Sequence, residues 1–210
     1  MPSSFVFPAL RRGALALALM AAAGLASAQS MHVVLDTSGL GASSSGWLDL
    51  QFNPASVPAI SASALVDHLN GFDAASAPQL NGDVQAQAGG AFLFGNSTDW
   101  NDLFHAVHLG GKVSFDVSFS GLPDPSPAAI PSLFSVSLYG ADGVTQLGHT
   151  DANGSLLSLS WNPAASGAGQ VGVAVVDAGV ASVSPVPEPS AWLMLGAGLA
   201  LLGVAKRRRA

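Results

Sequence analysis

The chain is predicted to be all-β: an antiparallel β-sandwich or jelly-roll-like body with one short helix, followed by a C-terminal hydrophobic helix. Three observations carry this. Apolar and polar residues alternate with period two along several stretches. Turn-forming pairs such as Asp142-Gly143 and Asn153-Gly154 fall between those stretches. The spacing of these signals suits many short strands packed as two sheets. An outer-membrane barrel is the competing all-β architecture, but it needs longer strands and aromatic girdles.

Taken in order, the chain opens with Arg11 and Arg12 before an uncharged, Ala- and Leu-rich run over residues 13–25. That run ends at Ala26-Ser27-Ala28, followed by Gln29. A basic start, a short apolar run and an A-x-A site are the parts of a secretory signal peptide, predicted over residues 1–28 with cleavage before Gln29. The apolar run falls short of the roughly 20 residues needed to span a bilayer.

The body is predicted over residues 29–184. Residues 31–35 form a dense apolar run, read as a central strand. Leu48, Leu50 and Phe52 alternate with Asp49 and Gln51. Asn81-Gly82-Asp83 and Gly89-Gly90 mark turns. Residues 97–107 break the pattern: Ser97, Thr98 and Asp99 resemble a helix start, and Trp100, Leu103, Phe104 and Val107 have helical spacing. A short helix is predicted there, anchored by Trp100. The clearest strand follows, with Val113, Phe115, Val117 and Phe119 opposed to Ser114, Asp116, Ser118 and Ser120. Pro123, Pro125, Pro127 and Pro131 stiffen the next loop. Phe134, Val136 and Leu138 then alternate with Ser135, Ser137 and Tyr139, and Leu157, Leu159 and Trp161 with Ser158 and Ser160. Residues 171–176 are a second dense run, also read as a central strand.

The tail, residues 185–210, has three unlike parts in order. Pro187-Glu188-Pro189 comes first. A charge-free run of 15 residues, 191–205, follows, and then Lys206, Arg207, Arg208 and Arg209. As a helix the run would rise about 22 Å, short of the hydrocarbon core of about 30 Å. Lysine and arginine stems extend such a span by snorkelling, and their charge keeps that end cytoplasmic. The prolines hold the preceding stretch extended and accessible to a processing enzyme.

This tripartite tail resembles the PEP-CTERM sorting signal of exopolysaccharide-producing Gram-negative bacteria. The resemblance implies recognition by an exosortase and cleavage near Pro187-Glu188-Pro189. The precursor would be membrane-anchored, then released to the cell surface or the extracellular matrix. The body is also similar to an exported group within that family, in residues 33–38, in Gly82-Asp83-Val84 and in residues 113–117. That likeness implies location and fold class and brings no activity.

Composition narrows the function. Six of the seven basic residues lie in the two end segments, so the body keeps Lys112 against twelve aspartates, a net charge of 1 − 12 = −11. Such a surface repels phosphate backbones, which argues against nucleic acid as a partner. The chain has no cysteine, which removes thiol catalysis, thiolate metal sites and disulfides.

Chemistry-bearing motifs are sparse. Asp102, His105 and His108 would share one face of a helix and offer three metal ligands, although a solvated polar face explains the same spacing. Twelve aspartates without a disulfide make structural calcium a candidate cofactor, in the region of Asp142 and Asp151. No nucleophile motif occurs: residues 41–46 are not G-x-S-x-G. No catalytic residues are assigned. Trp47 is out of phase with Leu48 and Leu50, which makes it the candidate glycan contact; Trp161 is in phase with the core. The expected function is a non-enzymatic, structural or adhesive role in exopolysaccharide or biofilm. The alternative is a carbohydrate-binding module, and a secreted hydrolase stands third.

Overall fold

Period-two alternation produces the strands, and the apolar half of each alternation becomes the core. The computed structural model describes residues 29–40, 44–126, 129–187 and 196. The signal segment, the run 191–205 save Gly196, and Lys206, Arg207, Arg208 and Arg209 lie outside the described residues. Among the described residues no helix is long and apolar enough to cross a membrane.

The unit Ala28–Val186 holds twelve strands. They are β1 (Gln29–Asp36), β2 (Ser45–Pro54), β3 (Ala62–Asn70), β4 (Gln79–Asn81), β5 (Val84–Ala86), β6 (Phe92–Gly95), β7 (Asp102–His108), β8 (Lys112–Gly121), β9 (Ser132–Tyr139), β10 (Leu157–Asn162), β11 (Gln170–Val175) and β12 (Ala181–Pro185). They form two six-stranded sheets, one in the order β12-β1-β8-β3-β6-β5, the other β11-β10-β9-β2-β7-β4. Every named strand pairing is antiparallel. The chain crosses from one sheet to the other repeatedly, as a sandwich requires.

The core is the sum of the inward faces. Val113, Phe115, Val117 and Phe119 of β8 meet Leu48, Leu50 and Phe52 of β2 and Phe134, Val136 and Leu138 of β9 in one buried cluster. Phe134 makes edge or tilted ring contacts with Phe94, Phe115 and Phe119, the geometry that ring quadrupoles prefer. Trp161 is buried, and Gly121 and Gly169 lie against its indole so closely that a Cβ at either would collide with the ring.

The structure corrects two local expectations. Residues 102–108 are not a helix but strand β7, paired with both β2 and β4. Two-sided strand pairing satisfies their backbone groups and overrides a weak helical pattern. Within the described body the only helical piece is the single 3-10 turn Ala88–Gly90. Residues 171–175 lie on β11, which is an edge strand and not a central one, with Val173 and Val175 exposed. Asp142-Gly143 turns a tight antiparallel reversal inside the connection between β9 and β10, with Tyr139 bridged to Gln146 and the Gly140 amide donating to the Thr145 carbonyl (2.8 Å), and Asn153-Gly154 turns the chain between Asp151 and Ser155 in the same connection. Gly89-Gly90 turns a hairpin, joining the paired strands β5 and β6, and both glycines have positive φ.

Candidate functional site

The outer face of the second sheet carries a row of aromatic, amide and carboxylate side chains. Along β2 the outward residues are Trp47, Asp49, Gln51 and Asn53, and register sets Tyr139, Ser137, Ser135 and Leu133 of β9 beside them. On the other flank, β7 sets Ala106 beside Trp47, Phe104 beside Asp49 and Asp102 beside Gln51. Strand alternation therefore builds a lattice of rings at one end and of amides and carboxylates at the other.

At the ring end, Trp47 stacks on Phe104 with centroids 4.9 Å apart and planes 3° from parallel. Tyr139 meets Phe104 edge-on at 5.9 Å. The turn at Gly143 packs against both Trp47 and Phe104. Trp47 is thus half-buried, with one ring face taken by Phe104.

At the polar end, Asn53 Nδ2 donates to Gln51 Oε1 (3.2 Å), and Gln51 Nε2 donates to Asp49 Oδ2 (2.8 Å). Asp49 Oδ1 is buried and meets no donor among the described residues. Burial pushes the Asp49 carboxyl up to about 6, against the lowering effect of Gln51, and the nearby Asp102 adds to the rise. Asp102 accepts from Asn81 Nδ2 (3.1 Å) and from Trp100 Nε1 (2.5 Å). Trp100, predicted to anchor a helix, is instead 56% exposed, the most exposed tryptophan of the described residues.

Asn101 holds this end in place. Fully buried, it donates from Nδ2 to the carbonyls of Phe52 (3.0 Å) and Thr98 (2.9 Å). Its Oδ1 accepts from the Asp83 amide (2.7 Å) and from the Thr98 hydroxyl, and its own amide donates to Asn53 Oδ1 (2.7 Å). The bend that presents Trp100 is therefore tied to β2 on one side and to Asp83, just before β5, on the other.

One other predicted cluster separates. Alternation along β7 places Asp102 and His108 on the outer face and His105 on the inner, so the three do not converge as metal ligands. His105 is buried against the edges of Phe72 and Phe92, and that burial lowers its pKa. Asp142 and Asp151 each cap their own turn. Asp142 accepts from the Thr145 hydroxyl (2.6 Å) and amide (2.9 Å) and from the Val144 amide (3.0 Å). Those bonds, the Thr145 hydroxyl foremost, lower its pKa to about 2. Asp151 Oδ1 accepts from the amides of Asn153 (2.8 Å) and Ser155 (2.9 Å).

A cleft of about 700 Å³ lies beside β3, β5 and β6, lined in part by Ser61, Asp83, Gln85, Asn96 and Ser97. Its carboxylate, Asp83, already accepts from Ser97 (2.6 Å) and stands without a second acid in the lining.

At the end of the body, β12 carries the chain into the tail. Pro185 pairs with Met31, and the Val186 amide donates to the Ser30 carbonyl (2.9 Å). Pro187 is exposed immediately beyond; Glu188 and Pro189, like Ala26 and Ala28, lie outside the described residues. Gln29 opens β1, and its Oε1 accepts from the Val171 amide (2.6 Å).

No curated protein and no solved structure matches the chain. Residues 185–209 match the family profile described as the PEP-CTERM protein-sorting motif. The three-part tail is therefore a PEP-CTERM sorting signal, which marks the chain as an exported, exosortase-sorted protein.

Proposed function

We propose that the mature body is a non-enzymatic adhesive module of the cell surface or extracellular matrix, which holds exopolysaccharide on the outer face of its second sheet. The signal peptide over residues 1–28 would deliver it across the inner membrane, and the tail would pause it there as an anchored precursor. The observation that carries the reading is Trp100. An exposed indole, its N–H fixed by Asp102, stands at the end of a row of amides and carboxylates. Sugars match such a surface, since their C–H faces pack on aromatic rings and their hydroxyls pair with planar amide and carboxylate groups.

The hydrolase reading finds less support. Asp49 and Asp102 are two carboxyls, one with a raised pKa, as a glycosidase requires. Yet Asp49 is buried, and Asp102 is engaged by Trp100 and Asn81. A proton donor must reach the scissile oxygen.

The test is tryptophan fluorescence of the full-length protein in detergent, titrated with the host's own exopolysaccharide. Saturable quenching, weakened about tenfold or more in Trp100→Ala and less in Trp47→Ala, is the expected result; base-stacking losses of comparable size accompany removal of other aromatic platforms. Stable matrix association without saturable quenching would instead favour a purely structural role. Glycan turnover abolished by Asp49→Asn would revive the enzyme.

A further inference from the structure

A second cluster of polar side chains lies on the outer face of the other sheet. His32 of β1, Asp116 of β8 and Asp67 of β3 stand in one row across three neighbouring strands, since register pairs His32 with Asp116 and Asp116 with Asp67. Regular alternation would send the next residue of β3, His68, to the opposite face. It does not go there. His68 has φ +52° at the irregularity between Asp67 and Asn70, and its Nδ1 comes to 3.0 Å from Asp67 Oδ1 and 3.1 Å from Asp116 Oδ2. His32 Nδ1 lies 2.5 Å from Asp116 Oδ1. The ligand atoms of Asp67, His68 and Asp116 all lie within 4.8 Å of one another.

We infer that Asp67, His68 and Asp116 form a surface site for a divalent first-row transition cation of the zinc type, with His32 holding Asp116 in place. Four observations converge. Two carboxylates face each other directly across β3 and β8, an arrangement that costs stability and that a bridging cation relieves. The body has a single lysine, and among the described residues the only ion pairs are the histidine–aspartate contacts of this cluster. Donors bound to one ion at about 2.0–2.2 Å sit roughly 3 Å apart, the separation of His68 Nδ1 from both carboxylates. Finally, the roles divide without conflict. His32 engages Oδ1 of Asp116 and leaves Oδ2, which faces His68, as the ligand atom. An imidazole on a ligating carboxylate is the outer support that orients metal sites.

The donor set of one imidazole and two carboxylates suits zinc-type ions over calcium or magnesium, which prefer oxygen alone. His68 is 76% exposed, so the remaining coordination positions open to solvent. Water fills them, or a carboxylate from outside the chain does.

Calorimetric titration of metal-free, full-length protein in detergent with zinc chloride, and separately with calcium chloride, tests the site. One saturable zinc site is expected, with calcium bound far more weakly. His68→Gly is the sharpest variant, because glycine keeps the positive φ while removing the imidazole. It should weaken zinc binding about tenfold or more with no fall in melting temperature, and Asp116→Asn should do likewise. His32→Ala should weaken binding by about 10–100-fold, as loss of outer support does elsewhere. His149→Ala, a surface histidine outside the cluster, should change nothing. Absence of a saturable zinc site, zinc binding unchanged in His68→Gly and Asp116→Asn, or calcium bound as tightly as zinc would each overturn the assignment.

Discussion

Asp49 sits where alternation requires an outward residue, yet it is buried, and one carboxylate oxygen has no donor among the described residues. Its folded pKa of about 6 exceeds the ordinary 3.8, so the folded protein retains a proton that the unfolded chain has lost. The stability this represents is present below about pH 3.8 and is lost as pH rises through 6, an upper bound of about 3 kcal/mol. Asp36, Asp142 and Asp177 act oppositely: hydrogen bonds from Ser38, Thr145 and the His149 amide lower their pKa values, and their contribution is lost in acid. Thermal melts across pH should therefore peak between the two regimes, near pH 4–5. Asp49→Asn should flatten the decline between about pH 4 and 6 and raise the melting temperature above that range. A second residue-scale prediction concerns Gly121, whose missing side chain leaves room for Trp161. Gly121→Ala should cost about 1–3 kcal/mol in denaturant unfolding, whereas Gly39→Ala, which meets open space, should be nearly neutral.

The strands β2, β8, β9 and β10 were legible because each carries its own alternation of large apolar residues with serine, aspartate or glutamine. β7 was not, because Trp100, Leu103, Phe104 and Val107 fit a helical spacing equally well. What decides is long-range: β2 and β4 occupy both edges of β7, and Asn101 ties the preceding bend to Phe52, Asn53 and Asp83. Asn101→Ala should therefore cost about 2–3 kcal/mol, since it strands buried backbone groups. The same change should loosen Trp100, read as a red-shifted, more quenchable emission. The dense run on β11 misled in another way: a row of valines reads as a central strand wherever it stands, and only the strand order places it at an edge.

For the whole molecule, two sheets supply one core, while the polar halves of the strands face outward with twelve aspartates and a single lysine. Net repulsion of this kind destabilises the compact state and is screened by salt. The melting temperature at neutral pH should rise as sodium chloride goes from low to moderate concentration. A flat or falling trend would mean that local pairs outweigh the net charge. The two outer faces differ in chemistry: one presents rings with amides, the other histidines with carboxylates. The charge asymmetry between body and tail was countable from the composition, but the assignment of those groups to faces depended on the register of pairing.

The sequence by itself determined the sorting tail, because three unlike features in order at one end need no folding to be recognised. It also determined the β class and the inward face of most strands, since alternation is a local property of neighbouring residues. Only the tertiary structure decided that residues 102–108 form a strand, that Trp100 and not Trp47 is the open ring, and that His32, Asp67, His68 and Asp116 meet. The reason is distance along the chain. Those groups come from strands tens of residues apart, and the neighbour each one meets is set by sheet order, register and a single irregularity in β3, none of which is encoded in a short window.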